Sequence, residues 1–558
     1  MFAPKSPVKS ALLSSSLIFF QISCDTSAHD RAERASTQAL FTEQARHAST
    51  RPIRPGIANE RPFWNQYAKR FIYAPAFDFQ ASPNVSGYRF TVTSKTNAKE
   101  VHFEAESPWA SLAPIWADLP EDHYHLSVEA LPAANDSTDK VIGERDFLKS
   151  TPFTGVKNEP AFPYRESGLR NLQFLLRDPK IQYWLQHRQP DPSYPLWCHS
   201  TKIMSALVIG LIHYAKYCPD AEDVDQALAI TQIVVDFLLA MREGPEKPLA
   251  HWPPTYWDGI PRGDHPYFEN EIMTNSPAIG AEMLLDLHEF TGEEDYFLAA
   301  KRIAETYVRT QREDGTWPQI LHTETGEAVK KNLLVPTMVI ELFDRFIEDH
   351  DLVEFQQPRQ KAFTWCMTQP VKTFNWQAQF EDTRPQKQFK NLSREEPSEF
   401  ARILFKASEK HPEYIELAEE LLRFAEDQFI VWDDADPALT YPWFREDSKW
   451  NGTVRPDGHD WFVPAALEQY KFYTPIARSS QLMILAYLTA YEYTHKPIYH
   501  AKAVALANTL TNAQHFHGGG EIPTHLRKNL PELNWLNNGI YPAITLIEKA
   551  DQLSKSAK

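Results

Sequence analysis

Three aspartates stand in stretches whose residue types could do chemistry. Asp382 lies in "NWQAQFEDTRP", Asp460 in "GHDW" and Asp258 in "YWDG". Each has a tryptophan and a second polar or charged group within a few residues. A carboxyl held protonated can donate to a leaving oxygen, and a second one, ionised, can activate water or act as a nucleophile. Two such groups suffice to cleave a glycosidic bond. Flat indole and phenol faces would hold the pyranose ring. Each aspartate also has a plainer reading. Asp382 could cap the next helix or pair with Arg384, Asp460 could sit in a turn after Gly458, and Asp-Gly at 258–259 favours a turn. Glu269 and Glu271 precede a helix and suit its dipole.

Around the aspartates, six loop regions repeat one mixture of aromatics with His or acids. The first carries Tyr194, Trp197 and His199. The second carries Trp252, Tyr256 and Trp257, and the third Trp317 and His322. Trp376 and Glu381 lie in the fourth, and Trp461 and Glu468 in the fifth. His515, His517 and Glu521 lie in the sixth, with Trp535 following. From these the expected substrate contacts are His199, Trp252, Tyr256, Trp257, Trp317, Trp376, Trp461, His517 and Trp535. The His515-x-His517 pair has no third ligand at a familiar spacing, so no metal is expected, and no cofactor. HExxH, GxSxG, Walker and GxGxxG signatures are absent, which argues against metalloprotease, esterase and nucleotide chemistry.

The elements that must position these loops are legible from periodicity. From about 60 to 157, "YRFTVTS", "VHFEAES" and "HYHLSVEAL" alternate apolar and polar residues between Pro, Gly, Asn and Asp breaks, the period of strands. This stretch resembles a fibronectin-type or immunoglobulin-like module, which implies a small β-sandwich over 59–158. After 160 the period becomes helical. Twelve helical stretches are expected, near 167–186, 199–217, 221–242, 272–291, 295–312, 333–349, 356–369, 396–410, 413–429, 475–495, 498–514 and 535–554. Short and long links alternate. A repeat supports pairing: Tyr296 to Gln311 and Tyr499 to Gln514 share one spacing, both run into Gly and Pro, and the helix from Tyr414 is one residue shorter.

Twelve helices as six hairpins, with this repeat, resemble the six-hairpin glycosidase-like superfamily over residues 160–558. The resemblance implies a multidomain chain: an N-terminal β-sandwich followed by an all-α (α/α)6 toroid. It also implies a carbohydrate-active enzyme of hydrolase, lyase or epimerase type. The Asp-Ala-Gly-Asp motif of sandwich-bearing toroidal endoglucanases is absent. A glycoside hydrolase is the leading reading, with Asp382, Asp460 and Asp258 as candidate carboxylates. A uronate lyase or epimerase using His199, Tyr256, Asn270 and Arg262 stands second. A non-catalytic glycan-binding surface lipoprotein stands third.

Bulk properties bound the rest. The chain has 558 residues, 13% aromatic, with 15 Trp and a net charge of −17. Such charge repels nucleic acid, and no basic stripe offsets it. Residues 1–24 carry Lys5 and Lys9, then an apolar run ending at Cys24 after Gln21-Ile22-Ser23. This resembles a bacterial lipoprotein signal, which implies lipidation at Cys24; Gln21 departs from the aliphatic residue usual there, so plain cleavage by signal peptidase is the alternative. Export to the periplasm or cell surface is expected, with membrane contact only through that anchor. Residues 25–58 are polar and read as a tether. The partner is then a poly- or oligosaccharide.

Overall fold

The computed structural model describes residues 36–133, 140–260, 270–381, 387–433, 460–529 and 534–555. Its first element is helix α1, residues 36–49. Here the tether expectation is corrected. Phe41 and Ala45, one helical turn apart, are both buried, and Phe41 packs on Phe153 with ring centroids 6.1 Å apart. Beyond α1, Ile53 is buried, and Arg54 pairs with Glu420 at 2.6 Å. A short apolar face hidden among polar residues is enough to dock this segment.

The alternating stretches become β1 (Arg70–Phe71), β2 (Val85–Ser94), β3 (Glu100–Ala105), β4 (Asp122–Pro132) and β5 (Lys140–Lys149), with the short helix α2 (Ala113–Trp116) after β3. They form one sheet in the order β1-β5-β4-β2-β3, antiparallel except for β1 beside β5. Register places Phe90 opposite Val128 and Val92 opposite Leu126. These four are buried with Tyr88 and Tyr124 on one face. The other face carries the ion pair Arg89–Glu104 (3.0 Å) and the His125–Asp146 hydrogen bond (2.8 Å), all with partly exposed side chains. A second sheet over that face would have to desolvate those charges. So the expected sandwich is corrected to a single, mostly antiparallel sheet, solvated on one side, among the described residues.

The helical part opens with α3 (Tyr164–Arg177) and α4 (Pro179–His187). One expected helix is broken at Asp178-Pro179, where Asp178 caps the N–H of Lys180. There follow α5 (Ser200–Tyr217), α6 (Ala221–Ala240), α7 (Ser276–Thr291), α8 (Glu294–Thr310), α9 (Thr337–Glu348), α10 (Gln356–Thr368), α11 (Pro370–Thr373), α12 (Glu395–Ala407), α13 (Tyr414–Phe429), α14 (Ala477–Thr494), α15 (Pro497–Phe516), α16 (Leu536–Glu548) and α17 (Ala550–Leu553). The hairpins are α5/α6, α7/α8, α9/α10, α12/α13, α14/α15 and, joining the two ends of the helical region, α16/α3. Helices α5, α7, α9, α12, α14 and α16 form an inner ring that closes with α16 against α5. This is an (α/α)6 toroid. No helix among the described residues is long and apolar enough to cross a membrane.

The sequence repeat has a structural cause. Its glutamines close the outer helices α8 and α15. Gln311 Nε2 donates to Gly315 O and Pro358 O, and Gln514 Nε2 donates to Gly520 O and Ser167 O. Each amide therefore ties the loop's own glycine to a neighbouring hairpin. Ring closure depends on another small residue. A Cβ on Gly168 of α3 would lie 2.4 Å from the carbonyl oxygen of Ala543 in α16. Gly168→Ala should therefore lower the urea midpoint, by a loss of about 1–3 kcal/mol, although alanine is the better helix former. An unchanged midpoint would show that α3 can shift freely against α16.

Candidate active site

The first residues of all six inner helices converge on one cavity of about 610 Å³. Its wall includes His199 and Lys202 of the α5 start, Asn275 and Ser276 of α7, and Thr337 and Met338 of α9. It continues with Glu395, Glu396 and Glu399 of α12, Arg478 of α14, and Asn537 and Tyr541 of α16. The volume lies in the range of small-ligand clefts. Six helix N-termini aimed at one space give it a positive bias, which suits it to oxygen-rich ligands.

Two kinds of carboxyl line this cavity. Glu381 reaches in from the loop after α11. Burial pushes its pKa up, but Lys202 and then His199 outweigh it and hold it down at about 2. Lys202 Nζ lies 2.8 Å from Glu381 Oε1, and His199 Nδ1 3.6 Å. Glu399 behaves in the opposite way. Burial first, then the charges of Glu395 and Glu341, push it up to about 8. Its Oε2 accepts from Thr337 Oγ1 at 2.7 Å. Burial and Glu395 likewise push Glu396 far above the usual range, and Ser393 Oγ donates to it at 2.9 Å. Near neutral pH Glu381 is thus locked ionised while Glu396 and Glu399 are kept protonated, with Glu395 and Glu468 completing the acids of the wall. Pairs driven apart in this way mark acid and base assignments.

Aromatic groups stand beside them. Lys202 Nζ lies 4.7 Å from the Trp535 ring centre, and the His199 ring lies 4.9 Å from Trp535 and 5.5 Å from Tyr256. The Glu381–Lys202 pair has a consequence for acid stability. The Glu381 pKa is depressed on folding, so its contribution is present above about 4.5 and is lost as pH falls toward 2. Lys202→Met should remove it, costing on the order of 3 kcal/mol at neutral pH, and flatten the acid limb of a urea-midpoint against pH curve. An acid limb that survives in Lys202→Met would mean that Glu381 is held by other groups.

The sequence-based site residues fall into three groups. His199 and Trp535 line the cavity, and Tyr256 touches His199. Asp382 lies outside the described residues, but its neighbour Glu381 is in the wall. The others stand elsewhere. Asp460 does not line the cavity; Arg527 Nη2 clamps it at 2.7 Å, and the Asn529 N–H donates to it. Asp258 is exposed in a turn. Trp252, Trp317 and Trp376 are 0% exposed, and the first two donate Nε1 to backbone carbonyls of Ile303 and Tyr307. Trp461 is buried too, Trp257 packs edge-on to Phe237, and His517 Nε2 bonds Arg527 O. These correct the aromatic expectation: indoles hide large apolar area, and the toroid uses them in its core. The residues missed are Lys202, Arg394, Glu395, Glu396, Glu399, Arg478 and Tyr541. One signal was present: "SREEPSEF" places Glu396 and Glu399 one turn apart at the head of a helix whose Phe400, Ile403 and Leu404 are core residues.

Neither a family model nor a curated protein sequence matches the chain. Solved structures resemble it distantly. A family 76 glycoside hydrolase from a bovine Bacteroides thetaiotaomicron strain aligns with 85% of this chain and 95% of its own, at 10% identity and a TM-score of 0.46. Cellobiose 2-epimerase from Spirochaeta thermophila aligns over 70% and 99%, at 12% and 0.44. An unsaturated glucuronyl hydrolase specific for heparin aligns over 70% and 98%, at 10% and 0.43. Likeness this remote carries no activity across to this chain.

Proposed function

We propose that the protein is an exported glycoside hydrolase that cleaves poly- or oligosaccharides in the toroid cavity. The observation that carries this is the pairing, in one cavity, of Glu399 kept protonated by burial with Glu381 kept ionised by Lys202. Glu399 donates its proton to the glycosidic oxygen as the bond to the anomeric carbon breaks, and a water adds to that carbon and gives its proton to a second carboxylate. Glu381 faces the positive charge that develops on the sugar ring. Trp535 and Tyr256 supply ring faces. Asp382, next to Glu381 in sequence, is the candidate second carboxylate and is tested beside it. Residues 1–24 direct export to the periplasm or cell surface, with Cys24 the site of a lipid anchor.

A second reading, a uronate lyase or epimerase, draws on His199 beside Tyr256 and on the cationic side chains of the wall. One experiment separates the two. The purified chain is incubated with neutral and uronate-containing polysaccharides, and new reducing ends and the ultraviolet absorbance of unsaturated uronate are read together. Glu399→Gln, Glu381→Gln and Asp382→Asn are run alongside. Hydrolysis gives reducing ends without absorbance, lost in Glu399→Gln. Absorbance rising with the reducing ends overturns the hydrolase, and product from no polymer overturns both.

A further inference from the structure

Two arginines from neighbouring inner helices share the cavity wall, and neither is fully satisfied. Arg394 stands just before the first residue of α12, and its side chain is 1% exposed. Its Nη2 donates to Ser479 Oγ at 2.9 Å. Its Nε and Nη1 are buried with no hydrogen-bond acceptor among the described residues, though Glu395 Oε2 lies 3.3 Å from Nη1. Arg478, in the first turn of α14, lies over the Tyr541 ring at 4.0 Å and donates Nη1 to Gln481 Oε1 at 2.6 Å. Its guanidinium has no carboxylate partner among the described residues, which leaves Nε and Nη2 to serve a ligand. Burial is the main cost to the Arg478 charge; Tyr541, Glu395 and Glu399 offset part of it, and Arg394 repels it. Desolvated guanidinium donors without acceptors are expensive to keep, and the helix N-termini around them add positive potential.

The neighbouring acids do not cancel this. Glu381 is matched by Lys202, and Glu395 lies against Arg394. Glu396 and Glu399 are held protonated by burial. Glu468 adds one more acid to the wall, on the Lys202 side, and Lys330 and Lys471 add two further cations.

We infer that Arg478, with Arg394 behind it, forms an anion-docking subsite, so that the sugar chain taken into this cavity carries a carboxylate or sulfate group. The planar guanidinium is braced by Gln481 and backed by Tyr541, which presets a two-pronged contact to such a group. This rests on the cavity being the carbohydrate site proposed above.

The test measures binding, so that it fails separately from the hydrolysis assay. The purified chain, Arg478→Met and Arg478→Lys are titrated calorimetrically, with thermal midpoints recorded to confirm folding. The probes are trisaccharides of glucuronate, galacturonate and mannuronate, their carboxyl-reduced neutral counterparts, and a sulfated neutral trisaccharide. The expected result is at least a tenfold preference for an acidic probe over its neutral counterpart. That preference should weaken with salt, vanish in Arg478→Met and partly return in Arg478→Lys. If only the sulfated probe is preferred, the group docked is a sulfate ester. Equal affinity for acidic and neutral probes, a preference that survives in Arg478→Met, or no binding of any probe overturns the inference. The hydrolase reading is decided separately, by release of reducing ends.

Discussion

Glu399→Gln should cut turnover severely and leave the protein at least as stable as the wild type. General acid donation contributes on the order of 10²–10⁴ in rate, so kcat should fall by about that factor, with a small change in KM. The stability sign follows from the same pKa. Glu399 is raised from 4.5 to about 8 by folding. Its favourable state is the protonated one. That state is fully available below about 4.5, and stability is lost as pH rises from there through about 8. Glutamine imitates the protonated carboxyl and cannot ionise. Its unfolding midpoint at pH 7–9 should therefore equal or exceed that of the wild type, and the alkaline limb of the rate profile near 8 should disappear. A residue that only holds the wall together would move activity and stability in the same direction. If Glu399→Gln keeps wild-type kcat, or loses activity and stability together, Glu399 is not the proton donor.

The contrast between Glu399 and the tryptophans shows what a single sequence makes legible. The twelve helices were readable because period, proline and glycine breaks, and link lengths are local properties. The interruption at Asp178-Pro179 and the glutamine-closed ends of α8 and α15 carry their signal within a few residues. The toroid followed from counting pairs. Whether strands stack in two layers is not local: β2 and β4 alternate equally well in one sheet or two, and the polar pairs Arg89–Glu104 and His125–Asp146 on the outer face decide it. The site failed for a related reason. Trp252, Trp317 and Trp376 look like binding platforms in sequence, yet their area is worth more in the core than at a cavity rim. Glu396 and Glu399 look like helix-start acids, the ordinary dipole partners. Their distinction is burial beside Glu395 and Glu341, which tertiary packing creates and no spacing rule reports. Loop convergence was readable; which loop residues face inward was not.

Lys502→Met should be among the most destabilising single changes in the chain. Lys502 on outer helix α15 meets Glu426 on outer helix α13 with Nζ 2.8 and 2.6 Å from the two carboxylate oxygens. Their side chains are 6% and 3% exposed. The ammonium sits 5.5–6.0 Å from the rings of Tyr487, Tyr499, Trp432 and Phe153. Trp432 Nε1 and Tyr487 OH each donate to Glu426 at 2.9 Å. Phe153 stands just beyond the sheet and packs on Trp432, with ring centroids 4.8 Å apart. The cluster therefore joins two hairpins to the segment that leads in from the sheet. Removing one partner of such a pair leaves a buried carboxylate without its counter-charge, a cost of about 3–5 kcal/mol. Replacing both is different. Lys502→Met with Glu426→Gln keeps an acceptor for the Trp432 and Tyr487 donors and buries no charge, so most of the loss should return. Urea midpoints of the two single variants and the double variant give the coupling directly. A single-variant loss below about 1 kcal/mol, the ordinary value of an exposed pair, would mean that water reaches Lys502. The sheet segment would then be docked by its apolar contacts alone.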